Sequence, residues 1–265
     1  MLRAFATSPE RVMTTHETLV VGQFGSQAKA YLESAVHAAG ADLDLMSEIV
    51  GERPEAVALD MGCGGGHVSF RLAPHVRKIV ASDLSREMLE VVAAEASRRG
   101  LANLETAQSP AESLPFPSAS FDFVATRYSA HHWRDLPAGM AEMRRVLKPG
   151  GLAIFMDAVA PEDPLLDTWL QSLELLRDAS HVRDASVTQL ESLLSAAGLA
   201  VGRVERLRVR IEFAPWIARM KTPEAHVAAI RSLQQLAPAE VARHFEFEPD
   251  GGFMLDTAVI AAAAR

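Results

Sequence analysis

The sequence has little cysteine, no long apolar run and no excess of positive charge. Its single cysteine, Cys63, excludes an internal disulfide framework and a metal site built from several thiolates, and it favours the cytoplasm. No apolar run reaches the ~18–20 residues of a membrane span, so no span is predicted. A formal net charge of −8 argues against a nucleic-acid partner, whose binding surface needs clustered lysine and arginine.

The 265 residues suffice for one large α/β domain or for a domain with an elaborated cap. Short apolar runs alternate with helical segments, which predicts a parallel sheet with right-handed crossovers. The first 14 residues lack a clear period and are expected to be a disordered start. Residues 15–265 are predicted to form one domain. Its N-terminal helices extend over 15–52 and its ligand-binding core over 55–160. Further helices and strands follow over 161–265, with a pair of inserted helices at about 214–246.

A glycine-rich turn follows the first apolar run of the core. Val57–Asp60 ends in an acid, and Gly62 and Gly64 follow it two and four residues later. A second apolar run, Ile79–Ala81, is followed by Asp83. A carboxylate about 20 residues past a glycine turn holds the ribose diol in doubly wound nucleotide-binding folds. The pattern therefore predicts an adenosine-containing ligand.

The order of the glycines indicates which nucleotide is bound. The dinucleotide fingerprint places a third glycine where this chain has His67. A diphosphate needs donors from the loop and the helix N-terminus, and Asp60 in front of the loop would repel it. A cationic or zwitterionic nucleoside without phosphate suits an acid at this position. S-adenosylmethionine is such a ligand.

Five segments in order resemble the class I S-adenosylmethionine-dependent methyltransferases, and among them the quinone-biosynthesis C-methyltransferases of the type 11 group. The match extends over roughly residues 45–160. The matching segments are Leu59–Gly64, Ala81–Met88, Ala111–Phe116, Ser120–Val124 and Glu142–Gly151.

The resemblance implies a doubly wound, mostly parallel seven-stranded sheet with N-terminal lid helices and a helical insertion before the last strand. It also implies S-adenosylmethionine as the methyl donor, S-adenosylhomocysteine as its product, and a small molecule as the acceptor. Carbon, oxygen and nitrogen acceptors all occur on this scaffold, so the acceptor atom stays open. The oligomeric state stays open as well.

Several cofactor contacts follow from the glycine turn and the second strand. Gly62 and Gly64 let the backbone approach the ligand without a Cβ clash. Asp83 offers two oxygens to the two ribose hydroxyls. Asp60 is expected to orient the amino end of the ligand through a water or a backbone amide, the alternative being that it caps the loop amides.

Other cofactor contacts are implied by the resemblance alone. Leu84 and Met88 are expected against the adenine ring, and Ala111 and Glu112 match the segment at the adenine edge. Many members have Asp or Asn just before that alanine, whereas this chain has Pro110, which has no N–H and no polar side chain. Gln108, Ser109 or a backbone carbonyl would have to replace that contact.

The segment Arg127–Trp133 follows a predicted strand and is expected to form the floor between cofactor and acceptor. Arg127 is a candidate partner of the methionine carboxylate. His131 and His132 are the candidates for proton transfer, because an imidazole titrates near neutral pH; the alternative is a structural histidine. Adjacent residues rarely share a metal ion, and no acid lies near this pair in sequence at a useful spacing, so no metal site is predicted.

The terminal regions supply aromatic candidates. Tyr31, in the lid helices, is expected to donate its hydroxyl to the ligand carboxylate or to lie in the core. Trp169, Trp216 and Phe213 fall where similar proteins form the acceptor pocket, with packing inside the cap as the alternative.

Three other functions are compatible with parts of this pattern. They are methylation of a protein or RNA, dinucleotide-dependent oxidoreduction, and cofactor binding without catalysis. The acidic composition disfavours RNA, and His67 at the third glycine position disfavours a dinucleotide.

Overall fold

The computed structural model describes residues 15–25, 27–32 and 40–265. The predicted disordered start lies outside this part of the chain. Within it, one sheet of seven strands is flanked by helices on both faces, as expected for a doubly wound α/β fold. Among these helices, none combines the length and the apolar character needed to cross a membrane.

The strands and helices alternate through most of the chain. The strands are β1 Arg53–Met61, β2 Val76–Asp83, β3 Leu104–Gln108, β4 Phe121–Arg127, β5 Leu147–Ala158, β6 Leu199–Ile211 and β7 Phe253–Ala264. The helices described are α1 His16–Gly25, α2 Ala28–Leu32, α3 Ala41–Val50, α4 His67–Leu72, α5 Arg86–Arg99, α6 Leu136–Val146, α7 Pro164–Arg177, α8 Val187–Ala196, α9 Phe213–Met220, α10 Glu224–Leu236 and α11 Ala239–Phe245.

The strand order is β3-β2-β1-β4-β5-β7-β6. The strands from β1 to β5 pair in parallel, and β7 runs antiparallel to both β5 and β6. From β1 the chain moves outward to β2 and β3, and it then returns to β4 on the other side. Ligands bind in doubly wound sheets at the carboxyl ends of the strands where this reversal occurs. The topology therefore predicts a ligand-binding site at the carboxyl ends of β1, β2 and β4.

The central strands are apolar along most of their length because helices cover both of their faces. On one face, Leu59 and Val124 belong to a buried cluster with residues of α6 and α8. On the other, Ile79 and Phe123 pack in a cluster that includes residues of α3 and α4. This rigid centre fixes the loops at the carboxyl edge.

Short polar signals set the helix ends. Ser85 caps α5 by accepting a hydrogen bond from the Met88 amide at 3.2 Å, and Gly100 ends it with a φ of +72°. Both ends agree with the sequence, in which Ser85 is a favourable N-cap and Gly100 a favourable C′ residue. Ser186 and Gln189 form a capping box at the start of α8.

The insertion between β6 and β7 consists of three helices, α9 to α11, where a pair was predicted. Pro223 and Pro238 directly precede α10 and α11, and proline cannot donate the amide hydrogen bond that a continuous helix needs. Phe213, Trp216 and Trp169 pack in the apolar cluster of this insertion and α7. These three aromatic residues therefore build the cap, which is the packing role that the sequence left open beside an acceptor pocket.

Two helical glycines provide a matched test of packing. A Cβ on Gly139 would lie 2.4 Å from Cε3 of the buried Trp133, whereas a Cβ on Gly22 would meet nothing within 4 Å. We expect Gly139→Ala to lower the free energy of unfolding by about 1–3 kcal/mol through overpacking. Gly22→Ala, the control, should be neutral or stabilise the protein by up to ~1 kcal/mol. Urea unfolding measures both values, and equal effects would contradict the packing around Trp133.

Candidate active site

A deep crevice opens at the carboxyl ends of β1, β2 and β4. It encloses about 1140 Å³ when its open mouth is included. Helix α1 contributes His16, Glu17, Val20 and Phe24 to the lining. The crevice is thus the place that the strand order indicates, and α1 shields part of it from solvent.

Nearly all predicted site residues meet in this crevice. Its lining includes Tyr31, Asp60, Gly62, Gly64, Asp83, Leu84, Met88, Ala111, Glu112, Arg127 and His132. His131 lies outside it. Residues up to 101 positions apart in sequence are brought together because each follows, or packs against, a strand end at one edge of the sheet.

The glycine turn is shaped for close approach. Gly62 has a φ of +71°, and a Cβ there would lie 2.0 Å from Oγ of Ser129. Its amide donates to the Ser82 carbonyl at 2.8 Å, which joins the turn to the end of β2. Only glycine satisfies both the left-handed backbone and the contact with Ser129.

Asp83 keeps binding capacity after its internal bonds are counted. Its Oδ2 accepts from the Gly64 amide at 2.8 Å, and its Oδ1 accepts from the Ser85 amide at 2.9 Å. Burial raises the pKa of Asp83, and backbone hydrogen bonds from Ser85, Gly64 and Leu84 oppose that shift. The two oxygens of a carboxylate together offer about four acceptor positions. Asp83 therefore keeps acceptor capacity that the ribose hydroxyls can use, with both oxygens held in place.

Asp60 is tied to the helix after the turn. Its Oδ2 accepts from the amide of Ser69 at 3.0 Å and from the Ser69 hydroxyl at 2.6 Å. These bonds anchor the end of β1 to α4 rather than to the loop amides. Burial raises the pKa of Asp60 to about 7, against the lowering effect of the Ser69 bonds. A ligand cation nearby would favour the ionised form.

The wall opposite Asp60 contains Ser109, Pro110, Ala111 and Glu112. Glu112 Oε1 accepts from the Arg134 amide at 2.9 Å, which links this wall to the turn after β4. Of the groups considered as replacements for the missing contact at Pro110, the Gln108 amide donates to the Leu84 carbonyl at 3.0 Å outside the crevice lining. Ser109 lines the crevice, and its hydroxyl lies 2.7 Å from the Ser82 hydroxyl.

Arg127 and Tyr31 reach the crevice while contacting other elements. The Arg127 guanidinium forms a buried ion pair with Asp42 of α3. The Tyr31 hydroxyl donates to Sδ of Met220 at 3.3 Å, which links α2 to the insertion. Their expected contacts with the ligand carboxylate stay predictions.

His132 is the histidine of the adjacent pair that faces the crevice. Its ring lies edge-on to Phe24, with centroids 4.9 Å apart. Nδ1 is 3.1 Å from the Ser180 carbonyl oxygen, and Nε2 is 4.0 Å from Oδ2 of Asp178. Burial, followed by the charge of His131, lowers the pKa of His132 to about 3. The imidazole is therefore neutral at physiological pH.

His131 points away from the crevice, which corrects its selection as a proton-transfer candidate. Its Nδ1 lies 2.6 Å from Oδ1 of Asp157, and the Asp157 Oδ2 accepts from the amides of Ala130 and His131. Burial lowers the pKa of His131, but the charge and hydrogen bond of Asp157, together with the charges of Asp184 and Glu174, raise it to about 9. A ring that already carries its proton is poorly suited to act as a base, and the contacts of His131 with Asp157 favour a structural role.

The loop after α7 brings acids to the histidine pair, although no acid lies near the pair in sequence at a useful spacing. Donor atoms of His131, Asp157 and Asp184 lie within 4.8 Å of one another. This spacing would suit a metal ion. However, the Asp157 oxygens already lie near four nitrogen donors, since Oδ1 also accepts from the Ala158 amide at 2.9 Å. The Asp157 carboxylate is therefore occupied by hydrogen bonds from N–H groups, and we assign no metal ion to this cluster.

Asp178 and Ser180 were not recognised from the sequence. They lie 46 and 48 residues beyond His132, in a loop whose neighbours are set by tertiary packing. The loop is held beneath the floor because the His131 carbonyl accepts from the Val182 amide at 2.8 Å. A short polar run after a helix is too common a pattern to mark a site by itself.

Known proteins share this arrangement of elements. Residues 59–155 match a family model described as a methyltransferase domain. The chain is 46% identical over 199 residues to the uncharacterized protein YafE of Escherichia coli, across 75% of this chain and 96% of that protein. It is 39% identical over 200 residues to the uncharacterized methyltransferase YcgJ of Bacillus subtilis, across 76% and 79% of the two chains.

Two further comparisons agree. The crystal structure of YcgJ superposes with a TM-score of 0.81 at 35% identity, covering 84% of this chain and 98% of that one. The ubiquinone/menaquinone biosynthesis C-methyltransferase UbiE of Francisella tularensis is 30% identical over 150 residues, which span 49% of this chain and 60% of that protein. The expected resemblance and fold are confirmed.

Asp83→Ala tests the placement of the nucleoside. We expect the affinity for S-adenosylhomocysteine to fall ~10-fold or more, because two charge-assisted hydrogen bonds are lost. Isothermal titration calorimetry measures it. Asp122→Ala is the control, since Asp122 also binds a backbone amide, that of Val57 at 2.8 Å, but at the opposite edge of the sheet. An unchanged dissociation constant in Asp83→Ala would contradict the assignment.

His131→Gln tests the buried ion pair with Asp157. A folded-state pKa of about 9, above the usual 6.5, means that the pair stabilises the protein fully below pH 6.5 and loses this contribution as the pH rises through 9. We expect the stability difference between wild type and His131→Gln to be larger at pH 7 than at pH 10, by urea unfolding. His75→Gln is the control, since it removes a half-buried imidazole whose acidic partner, Glu52, is exposed to solvent. A difference that does not change with pH would exclude the charged pair.

Proposed function

Because the chain belongs to the S-adenosylmethionine-dependent methyltransferases, we propose that it transfers a methyl group to a small-molecule acceptor. The observation that supports this proposal is the crevice itself. Asp83, the glycine turn, His132 and side chains of α1 all line this one crevice. A space that must hold a nucleoside beside its acceptor favours a small acceptor.

The residues present suit a phosphate-free nucleoside. Asp83 has acceptor positions for a diol, Gly62 leaves no side chain between backbone and ligand, and Asp60 places a carboxylate where a sulfonium and an amino group would be attracted. A diphosphate would meet two carboxylates at this place. This donor set favours S-adenosylmethionine over a dinucleotide, and with it methyl transfer over hydride transfer.

In this reaction the protein mainly brings the methyl donor and the acceptor together and orients them. S-adenosylmethionine, when bound, supplies an electrophilic methyl group on sulfur. Asp83 and the glycine turn fix the nucleoside, while Val20 and Phe24 of α1 exclude water from the acceptor end. Holding the acceptor atom ~3 Å from the methyl carbon in line with the departing sulfur lowers the barrier by several kcal/mol.

Two predictions from the sequence, and the alternatives to small-molecule methylation, remain proposals of the same kind. We propose a cytoplasmic protein, on the basis of its single cysteine, which is buried and unpaired. We propose that nucleic acid is not the acceptor, on the basis of the acidic composition. Methylation of a protein is the alternative acceptor class, and a cofactor-binding protein without turnover is the alternative from another class.

A fluorescence titration tests the choice of nucleotide. Trp133 lines the crevice, whereas Trp169 and Trp216 lie in the cap. We expect S-adenosylhomocysteine to change the tryptophan emission of the wild type and NAD to leave it unchanged. Trp133→Phe should remove the change while calorimetry still detects binding. A response to NAD with none to S-adenosylhomocysteine would overturn the proposal.

Turnover against a metabolite extract separates an enzyme from a binder. With S-adenosylmethionine carrying a labelled methyl group, we expect the label in a compound of low molecular mass. Asp83→Ala should reduce that transfer in proportion to its loss of cofactor affinity. Label only in protein or RNA would support the alternative acceptor classes, and no label with intact cofactor binding would indicate a binding protein.

A further inference from the structure

We propose that the acceptor is a weakly acidic aromatic alcohol, of the phenol class, and that Nε2 of His132 takes the hydroxyl proton as the methyl group arrives. The inference rests on the proposed methyl transfer and adds to it the acceptor class and the residue that handles the proton.

The tautomer of His132 follows from the Ser180 carbonyl. This oxygen has two imidazole nitrogens within hydrogen-bond distance, Nδ1 of His132 at 3.1 Å and Nε2 of His16 at 3.0 Å. A carbonyl only accepts, so each of these nitrogens must carry a hydrogen. The neutral ring of His132 therefore has its lone pair on Nε2, the nitrogen available to accept a proton.

The carboxylate of Asp178 can stabilise the protonated ring of His132. Asp178 is 2% exposed, and its Oδ2, 4.0 Å from Nε2 of His132, has no hydrogen-bond partner among the residues that the structure describes. The other oxygen, Oδ1, accepts from the Ser180 amide at 2.8 Å and from the Ser180 hydroxyl at 2.6 Å. A proton on Nε2 is therefore stabilised by an unpartnered buried negative charge held in place.

His131 acts as a positioning residue in this scheme. With Asp157 it holds the 3-10 turn Ala130–His132, and this turn presents the ring of His132 to the crevice. Burial and, after it, the positive charge of His131 keep His132 unprotonated until the reaction. The same charge favours return of the proton to water after the product leaves.

The neighbouring side chains favour a flat apolar acceptor. Phe24 lies edge-on to His132, and Val20 and Trp133 line the same crevice. Aromatic rings pack well edge-to-face or offset against such walls. A phenol places its ring between these side chains and its hydroxyl towards Nε2.

The step balances in atoms and charge. A lone pair of the hydroxyl oxygen forms the new C–O bond, and the C–S bond breaks with its electron pair going to sulfur. The O–H proton moves to Nε2, which leaves a neutral thioether, an aryl ether and an imidazolium. A weak base suffices, because an oxygen that gains a methyl group becomes strongly acidic as the bond forms.

The tautomer can be measured without any acceptor. In protein labelled with nitrogen-15 in histidine, two-bond proton–nitrogen correlation spectra at pH 7 should show His132 with a protonated Nδ1 and a bare Nε2. His132→Gln assigns the signals by their loss. A proton on Nε2, alone or together with Nδ1, would overturn the proposal.

Two phenols of different acidity test the role of His132. At pH 8 phenol keeps its proton in water, whereas 4-nitrophenol has largely lost it. We expect His132→Gln to lower kcat for O-methylation of phenol by ~100-fold but that of 4-nitrophenol by less than about threefold, because a base helps only an acceptor that must lose a proton. His75→Gln is the matched control and should turn over both at the wild-type rate.

The outcomes separate this inference from the proposed function. Equal losses with both phenols would mean a structural role for His132 and would overturn the assignment. Wild-type protein that binds S-adenosylhomocysteine but methylates neither phenol, or methylates a ring carbon, would overturn the acceptor class and leave methyl transfer standing. Failure to bind S-adenosylhomocysteine would overturn the proposed function itself.

Discussion

The carboxylate of Asp157 is the constraint on which the floor of the crevice depends. It lies at the end of β5, and its two oxygens accept hydrogen bonds from the backbone that follows β4 and from the His131 ring. A buried charge of this kind is tolerated because each oxygen is partnered and an imidazolium lies beside it. The turn that carries His132 is thereby fixed to the sheet. The loop of Asp178 and Ser180 packs on that turn from below.

The cofactor half of the crevice could be predicted from sequence because its residues follow local rules. An apolar strand, an acid and a glycine turn place Asp60, Gly62 and Asp83 at one sheet edge wherever the strands are parallel. Neighbouring strands are brought together by the fold class alone. The caps at Ser85 and Gly100 are local in the same sense, since their partners lie within one helical turn.

The acceptor half could not be predicted to the same degree because it depends on packing between distant elements. Nothing in two adjacent histidines shows which ring will face the crevice, and only the position of Asp157 decides it. The partner of Arg127, Asp42, lies 85 residues earlier in a helix of the N-terminal region. The sequence left both a pocket and the cap open for Trp216 and Phe213, because aromatic residues serve both cores and ligands. Pro223 and Pro238 were present as signals for a third inserted helix.

The carbonyl of Ser180, shared by His16 and His132, couples the position of α1 to the orientation of the His132 ring. His16 belongs to α1, which lines the crevice, and it donates to the same oxygen that holds the ring of His132. A substitution on α1 that widens the entrance by shifting this helix would also disturb the dipole that orients the imidazole. If His132 takes the acceptor proton as proposed, broader tolerance of acceptors and efficient proton removal are therefore opposed in this scaffold. Relatives that take bulkier compounds would need changes on both sides of that oxygen together.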